Sequence, residues 1–348
     1  MIIDFFQSRD ASGQRNRGMV LSEILLNGPI SRSAIAKRLS MTTASVSRIT
    51  RQLIDTGLVR EGEALDATGP GRRFIGLEIR PSSCFVAGIS INAFRQDIAI
   101  ADLGNATVSR RVVSCDALDD APQTLDVMAA ATREMIADAG VASGRVIACG
   151  AIITGAVDPQ LGKVHHAPLI DWENIDVGAV LRQQLQIPVF VENIPNAKML
   201  MTQMFGAARG VENVALINVS LAIGASFMLN GRLIRGRQQQ SGLLGSLPVN
   251  AMGTTRALDE CASGAAVVAD LGVDVPARRL PKELLRIIDA GRDGDAAASQ
   301  ALYRAGSWLA QAVASIDAMH HPDIILVSGP LTAAQLLTGY ESQTRATE

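Results

Sequence analysis

Hydroxyl and guanidinium side chains crowd ten residues, among them Thr42, Thr43, Ser45, Ser47, Arg48 and Arg51. On one helix such groups can hydrogen-bond to base edges and pair with phosphates, which is the chemistry of a helix pressed into a DNA major groove. Val46, Ile49 and Leu53 recur at helical spacing and predict the buried stripe on the opposite side. Thr42 can cap the start of this helix, and Gly57 can stop it. A shorter helix precedes it, capped by Ser31 and carrying Ile35, Ala36 and Leu39 on one face. Ser40 and Met41 make the turn between the two. The pair reads as a helix-turn-helix. A surface helix pair in an unrelated fold is the plainer alternative, and the agreement of caps, spacing and polarity weighs against it.

The segment that follows extends the pattern. Residues 58–63 and 73–79 predict two short strands, and the link between them ends Gly69-Pro70-Gly71-Arg72. Such a hairpin is a wing. Its glycines allow close approach of backbone to a phosphate, and Arg72 and Arg73 can reach a phosphate or a narrow minor groove. An ordinary basic turn is the other reading. Charge divides the chain in the same place. Residues 1–80 hold 12 Lys+Arg against 8 Asp+Glu, a net of +4, whereas residues 81–348 hold 20 against 26, a net of −6. A basic head on an acidic body fits a nucleic-acid reader joined to a domain with another task.

The remaining residues predict an α/β body. Strands are expected over 84–91, 95–102 and 107–113, a helix over 124–139, and a buried strand over 146–153. A helix covers 180–185, a strand 189–192 and a helix 197–205. A second hairpin spans 214–219 and 225–229, and a long helix over 299–319 leads to a strand over 324–328. Hairpins starting near residues 84 and 214 suggest two similar lobes. The chain contains no run of about 18 apolar residues, and its first ten residues lack the order of a signal peptide. Cys84, Cys115, Cys149 and Cys261 stand far apart, as expected of reduced thiols in a cytoplasmic protein. His165 and His166 are adjacent, as are His320 and His321, and neither pair has the spacing of a ligand set.

These features in this order resemble the ROK (Repressor–ORF–Kinase) family, in the branch of xylose- and N-acetylglucosamine-type repressors. The matching stretches are NGPISRSAIAKRLSMTTASVSRITRQLIDTGLVREG, GRRFIGLEI, TGAVDPQLGKVHHAPLIDWEN, IPVFVENIPNAKML, LNGRLIRGRQQQSGLLGSLPV and ECASG. The resemblance implies a winged helix-turn-helix over residues 1–80 and a two-lobed, actin-like (ribonuclease H-like) sugar-kinase fold over 81–348. The lobes divide near residues 192 and 193. It also implies a sugar in the cleft between the lobes, phosphorylated in the kinases and sensed in the repressors.

The departures from the family pattern are as informative. Ile194 stands where the family kinases carry the aspartate that serves as general base, and loss of a positioned base removes about 10²–10⁴ in rate. The first phosphate turn is Ser90-Ile91-Asn92-Ala93-Phe94, with neither glycine nor aspartate, and the second is reduced to residues 220–225. The family's zinc pattern is absent: Ser246 replaces its histidine, residues 250–260 contain no cysteine, and Cys261 stands alone. Of the positions that meet sugar hydroxyls in the family, Asn193 is kept, Asp259 is a shortened carboxylate, and Ile194 and Ser246 are changed. Gly155, Asp171 and Glu192 are further candidates for the cleft, though each also suits a turn or a surface.

The expectation is a transcriptional regulator of carbohydrate-related genes with a catalytically inactive sensor body. It needs no cofactor or metal. It binds a palindromic operator as a homodimer or a dimer of dimers, in the cytoplasm with the nucleoid, and answers to a sugar-like effector. A sugar kinase with an accessory winged helix, or a regulator whose body is only a dimerisation scaffold, are the alternatives. The resemblance also implies a further strand and helix after residue 328, where only 18 residues follow Pro330. Residues 331–340 suggest a helix and residues 341–348 a frayed end.

Overall fold

The computed structural model describes residues 11–65, 74–115, 117–141, 143–237, 241–251, 254–334 and 344–346. Helices α1 (Ala11–Asn27), α2 (Arg32–Arg38) and α3 (Thr43–Asp55) precede a hairpin of β1 (Val59–Leu65) and β2 (Phe74–Ile79). Both expected caps form: Ser31 Oγ accepts from the Ala34 N–H and Thr42 Oγ1 from the Ser45 N–H, each at 3.2 Å. The turn between α2 and α3 is tight because Ser40 takes the left-handed conformation, φ 52°. Val46, Ile49 and Leu53 are buried with Ile35, Ala36, Leu58, Val59 and Leu77. Helix α1, which the sequence reading did not anticipate, completes this core with Val20 and Ile24. The wing tip, with Arg72 and Arg73, lies outside the described residues.

The first lobe of the body is a five-stranded sheet in the order β10-β6-β3-β4-β5. Its strands are β3 (Phe85–Ile91), β4 (Gln96–Asp102), β5 (Thr107–Val113), β6 (Val146–Ile153) and β10 (Val189–Asn193). The first three form an antiparallel meander, while β6 and β10 pair parallel. Helices α4 (Ala121–Asp138) and α5 (Val177–Leu185) pack on it, joining Leu125, Met128 and Leu181 to Ile89, Ile98 and Ile100. A small antiparallel sheet of β7 (Ala156–Asp158), β8 (Lys163–Ala167) and β9 (Trp172–Ile175), absent from the sequence expectations, is pinned by buried Trp172. The Trp172 indole N–H donates to the Leu118 carbonyl at 2.8 Å.

The second lobe repeats the scheme. Its sheet runs β13-β12-β11-β16-β17, with β11 (Val214–Val219) antiparallel to β12 (Ile223–Leu229) and parallel to β16 (Ile324–Ser328), and β13 (Arg232–Ile234) on the edge. Helix α6 (Ile194–Phe205) joins the lobes. A hairpin of β14 (Pro248–Ala251) and β15 (Thr254–Ala257), then α7 (Asp259–Ala262), α8 (Gly264–Asp270), α9 (Leu280–Arg292) and α10 (Ala296–His320) complete it. Leu284, Ile287 and Ile288 of α9 and Leu309, Val313 and Ile316 of α10 fill the core against Ile217 and Val327. Two expectations are corrected at the end of the chain. Of the helix expected over 331–340, the described part is a 3-10 turn, Pro330–Ala334, and the rest lies outside the described residues; within the end expected to fray, Thr344–Ala346 forms β17, parallel to β16. Main-chain pairing to an open sheet edge holds these residues, and side-chain patterning gives no signal for such a strand. Among the described residues no helix is long and apolar enough to cross a membrane.

Candidate functional site

Helix α3 presents Thr43, Ala44, Arg48 and Arg51 to solvent on the side opposite its buried stripe. Neither Arg48 nor Arg51 is ion-paired among the described residues. Thr42 and Ser45 are engaged with each other, the Thr42 hydroxyl donating to Ser45 Oγ at 2.9 Å, so their first duty is to cap. Ser47 is half-buried, and its carbonyl accepts from the Thr50 hydroxyl at 3.2 Å. Arg32, which sequence reasoning passed over, fixes the helix pair: its Nε donates to buried Thr50 at 3.0 Å and its Nη2 to Glu61 of β1 at 2.8 Å. One small basic face therefore stands on a rigid frame.

A cleft of about 1050 Å³ opens between the lobes. Of the six candidate ligand residues, the structure brings four to it: Gly155, Asn193, Ser246 and Asp259. Asn193 is the N-cap of α6, its Oδ1 accepting from the Asn196 N–H at 2.9 Å. Asp259 opens α7 and accepts from the Ile223 N–H at 2.6 Å; burial raises its pKa above the usual carboxylate value, and the hydrogen bond opposes that shift. Gly245 makes room for this carboxylate, since a Cβ there would lie 2.1 Å from Asp259 Oδ2. Gly155 is required by its backbone: φ is +101° and a Cβ would meet the His166 carbonyl oxygen at 2.4 Å.

The other two candidates lie apart from the cleft. Asp171 is exposed in a left-handed conformation, φ 56°, ending the turn Pro168–Ile170. Glu192 braces the start of α6, accepting from the Asn193 N–H at 3.0 Å and from Asn196 Nδ2 at 3.1 Å, and it forms an ion pair with Arg235 at 2.6 Å. Both are polar for reasons of chain geometry, which a motif position alone does not reveal.

A family model described as the ROK family matches residues 87–346, and one described as the MarR family matches residues 14–67. The chain belongs to the ROK family. It is 29% identical over 348 residues to the DNA-binding transcriptional dual regulator NagC of Escherichia coli K12, covering 96% of this chain and 85% of that protein. The xylose repressor of Caldicellulosiruptor bescii is 23% identical over 330 residues, covering 90% and 82%. Among solved structures, a ROK family transcriptional regulator described as a homologue of E. coli Mlc superposes with a TM-score of 0.76 at 26% identity, over 94% of this chain and 85% of that one. A ROK family glucokinase from Streptomyces griseus, solved with glucose and AMPPNP, shares the fold at a TM-score of 0.59 and 22% identity, over 75% and 94%. In this chain the MarR-type match precedes the ROK match.

Within this ROK body, the two turns that would seat a nucleotide have little to offer it. Asn92 Oδ1 accepts from the N–H groups of both Phe94 and Arg95, at 2.9 and 3.3 Å. The Ser220 N–H donates to the Ala222 carbonyl at 3.1 Å, and the Ile223 N–H is held by Asp259. Backbone amides that cradle a phosphate must be free to point at it, and these four are occupied within the protein. Ile194 lines the cleft beside Asn193 and offers no proton acceptor. The zinc positions do not fit a metal either, since Ser246 and Cys261 come with no cysteine between residues 250 and 260. One cleft residue escaped the sequence reading altogether. Lys198 of α6 lines the cavity, donating to Asn218 Oδ1 at 2.7 Å and Ser328 Oγ at 3.2 Å. The available signal was its position one helical turn after Ile194.

Proposed function

We propose that this protein is a transcriptional repressor of carbohydrate-related genes, binding operator DNA through α3 and the wing, with a catalytically inactive body that senses a small molecule. The observation that carries this reading is the way the reader domain is fastened. Its core includes Cys84 and packs against Leu103 and Ile147 of the first lobe. From the second lobe, Arg209 donates to the Leu26 carbonyl and, at 3.2 Å, to Asn27 Oδ1 at the end of α1. Helix α6 runs from the cleft, where Ile194 and Lys198 line it, toward the turn that carries Arg209. A ligand that changes the angle between the lobes therefore pulls on the reader from two sides. This is the coupling a sensor requires: two sites and one element that both can bias.

Two copies on one duplex follow from the need to read a palindrome, and the site of action is the cytoplasm. Catalysis is lost because the base is missing and the phosphate-turn amides are occupied. Sedimentation of the full chain with a palindromic duplex from its own promoter region tests the assignment. Two chains per duplex, with clear preference over a scrambled duplex of equal length, are expected. Equal binding to both duplexes would overturn it.

A further inference from the structure

The ion pair between Arg32 and Glu61 joins the helices of the reader domain to its wing. The neighbouring pairs stay within one part or the other: Arg38–Glu23 ties α2 to α1, and Arg60–Glu78 ties β1 to β2. Arg32 opens α2, and its guanidinium is shared between two other elements. Nε donates to Thr50 Oγ1 of α3 at 3.0 Å, and Nη2 donates to Glu61 Oε1 of β1 at 2.8 Å. Thr50 is buried two residues after Arg48, and its hydroxyl donates to the Ser47 carbonyl. A guanidinium is a planar, rigid fork, so it sets the separation of α3 and β1 in a way that a lysine ammonium cannot. Glu61 stands where that separation matters. Val59 and Glu61 share a face of β1. Val59 is buried in the core, whereas Glu61, one step nearer the tip, meets Arg32 instead. The pairing of β1 with β2 then slips between Glu61 and Ala64. Such an irregularity bends a hairpin and re-aims what lies beyond it. The base of the wing is held separately, by the paired main chains of Ile30 and Leu77. With side chains 27% and 45% exposed, the Arg32–Glu61 pair adds little to folding, and its consequence is the direction of the wing.

Resting on the reading of α3 and the wing as one DNA-binding surface, we infer that Arg32 is a positioning residue. Acting through Thr50 and Glu61, it holds the wing at the angle from α3 at which both meet the same half-site, the helix in the major groove and the wing on the flanking DNA. Its donors Nε and Nη2 are engaged within the protein, so it serves recognition without reading a base. Without it α3 still enters its groove, and the wing loses its place on the flank.

The test uses the full chain on a palindromic duplex from its own promoter region, probed in both grooves at saturating protein. Dimethyl sulfate reports guanine N7 in the major groove, where α3 lies, and hydroxyl radical reports the sugars of the flanking minor groove, where the wing lies. Glu61→Gln and Arg32→Met should keep the major-groove protection and lose the flanking protection, with operator affinity down by about tenfold as backbone contacts are lost. Arg32→Lys should retain only part of the flanking protection. The reversed pair, Arg32→Glu with Glu61→Arg, should restore it. The denaturant midpoint of Glu61→Gln should stay at the wild-type value, which separates positioning from a general loss of fold. A flank still protected in Glu61→Gln, or both protections lost together in it, would overturn the proposal. Major-groove protection without any flanking protection in the wild type would overturn it too and leave the DNA-binding assignment standing. No protection in either groove would sink both.

Discussion

Helices α3 and α6 start alike and diverge in what they leave exposed. Each opens on a polar cap, Thr42 or Asn193, whose side chain accepts a backbone N–H three residues on. Beyond the cap, α3 keeps Arg48 and Arg51 exposed and without ion pairs among the described residues. Along α6 the polar groups turn inward: Asn196 is bonded to Glu192 and Ser226, and Lys198 to Asn218 and Ser328. An open polar face is available to an outside partner. A face satisfied internally is fixed in place, and in the neighbouring turns the Phe94, Arg95, Ser220 and Ile223 amides are likewise engaged. The contrast separates a face left open to an outside partner from one turned into the fold.

The largest expected effect breaks or upholds the closed side of this comparison. Sugar-dependent ADP release should be at background with hexoses and amino sugars. Ile194→Asp should leave it there, although restoring a base alone is worth about 10²–10⁴ in rate where the rest of the machinery is intact. Turnover by the wild type would place the protein among the kinases. Turnover by Ile194→Asp only would mean that the Asn92-capped turn accepts phosphate after all.

A second experiment compares the caps directly. Thr42→Ala and Asn193→Ala should each cost about 1 kcal/mol of stability, read as a drop in denaturant midpoint. Only Thr42→Ala should also weaken operator binding, and only Asn193→Ala should alter ligand binding in the cleft. Crossed effects of equal size would show that the two regions are not as distinct as their hydrogen bonding implies.

The smallest effect is electrostatic. Asp259 has its pKa raised by burial, so its protonated form is favoured in the folded state. The stability it confers is present below the ordinary carboxylate value of 3.8 and is lost as pH rises through the raised value. The melting temperature of the wild type should therefore fall relative to Asp259→Asn across that window and run parallel to it at higher pH. A gap that stays constant through acid pH would contradict the raised pKa of Asp259.

Legibility in the sequence followed the type of signal each region carries. Helix α3 was readable because cap, stripe and stop are local: Thr42, then Val46, Ile49 and Leu53, then Gly57. Helix α1 was missed because only Val20 and Ile24 supply its fully buried contacts, among Gln14, Arg15, Asn16 and Arg17. Strands β7 to β9 were missed because each is five residues or fewer and they alternate too briefly to show a period. In the cleft, Gly155, Asn193, Ser246 and Asp259 were reachable through the family resemblance. Asp171 and Glu192 were included because a motif marks proximity in sequence, whereas their bonds and exposure decide their roles. Lys198 was overlooked because lysine in an amphipathic helix ordinarily faces water, and only the packing of α6 against β11 and β12 turns it inward.

The open face of α3 is the central claim, and it is tested by operator affinity measured across a salt series. The wild type should lose affinity steeply with salt, since each phosphate contact releases counterions. Arg48→Ala and Arg51→Ala should each cost about 1–3 kcal/mol if the guanidinium reads a base edge, with circular dichroism unchanged. A residue that touches only phosphate should instead flatten the salt slope by about one contact. Wild-type affinity and slope retained in the Arg48→Ala/Arg51→Ala double variant would contradict the account.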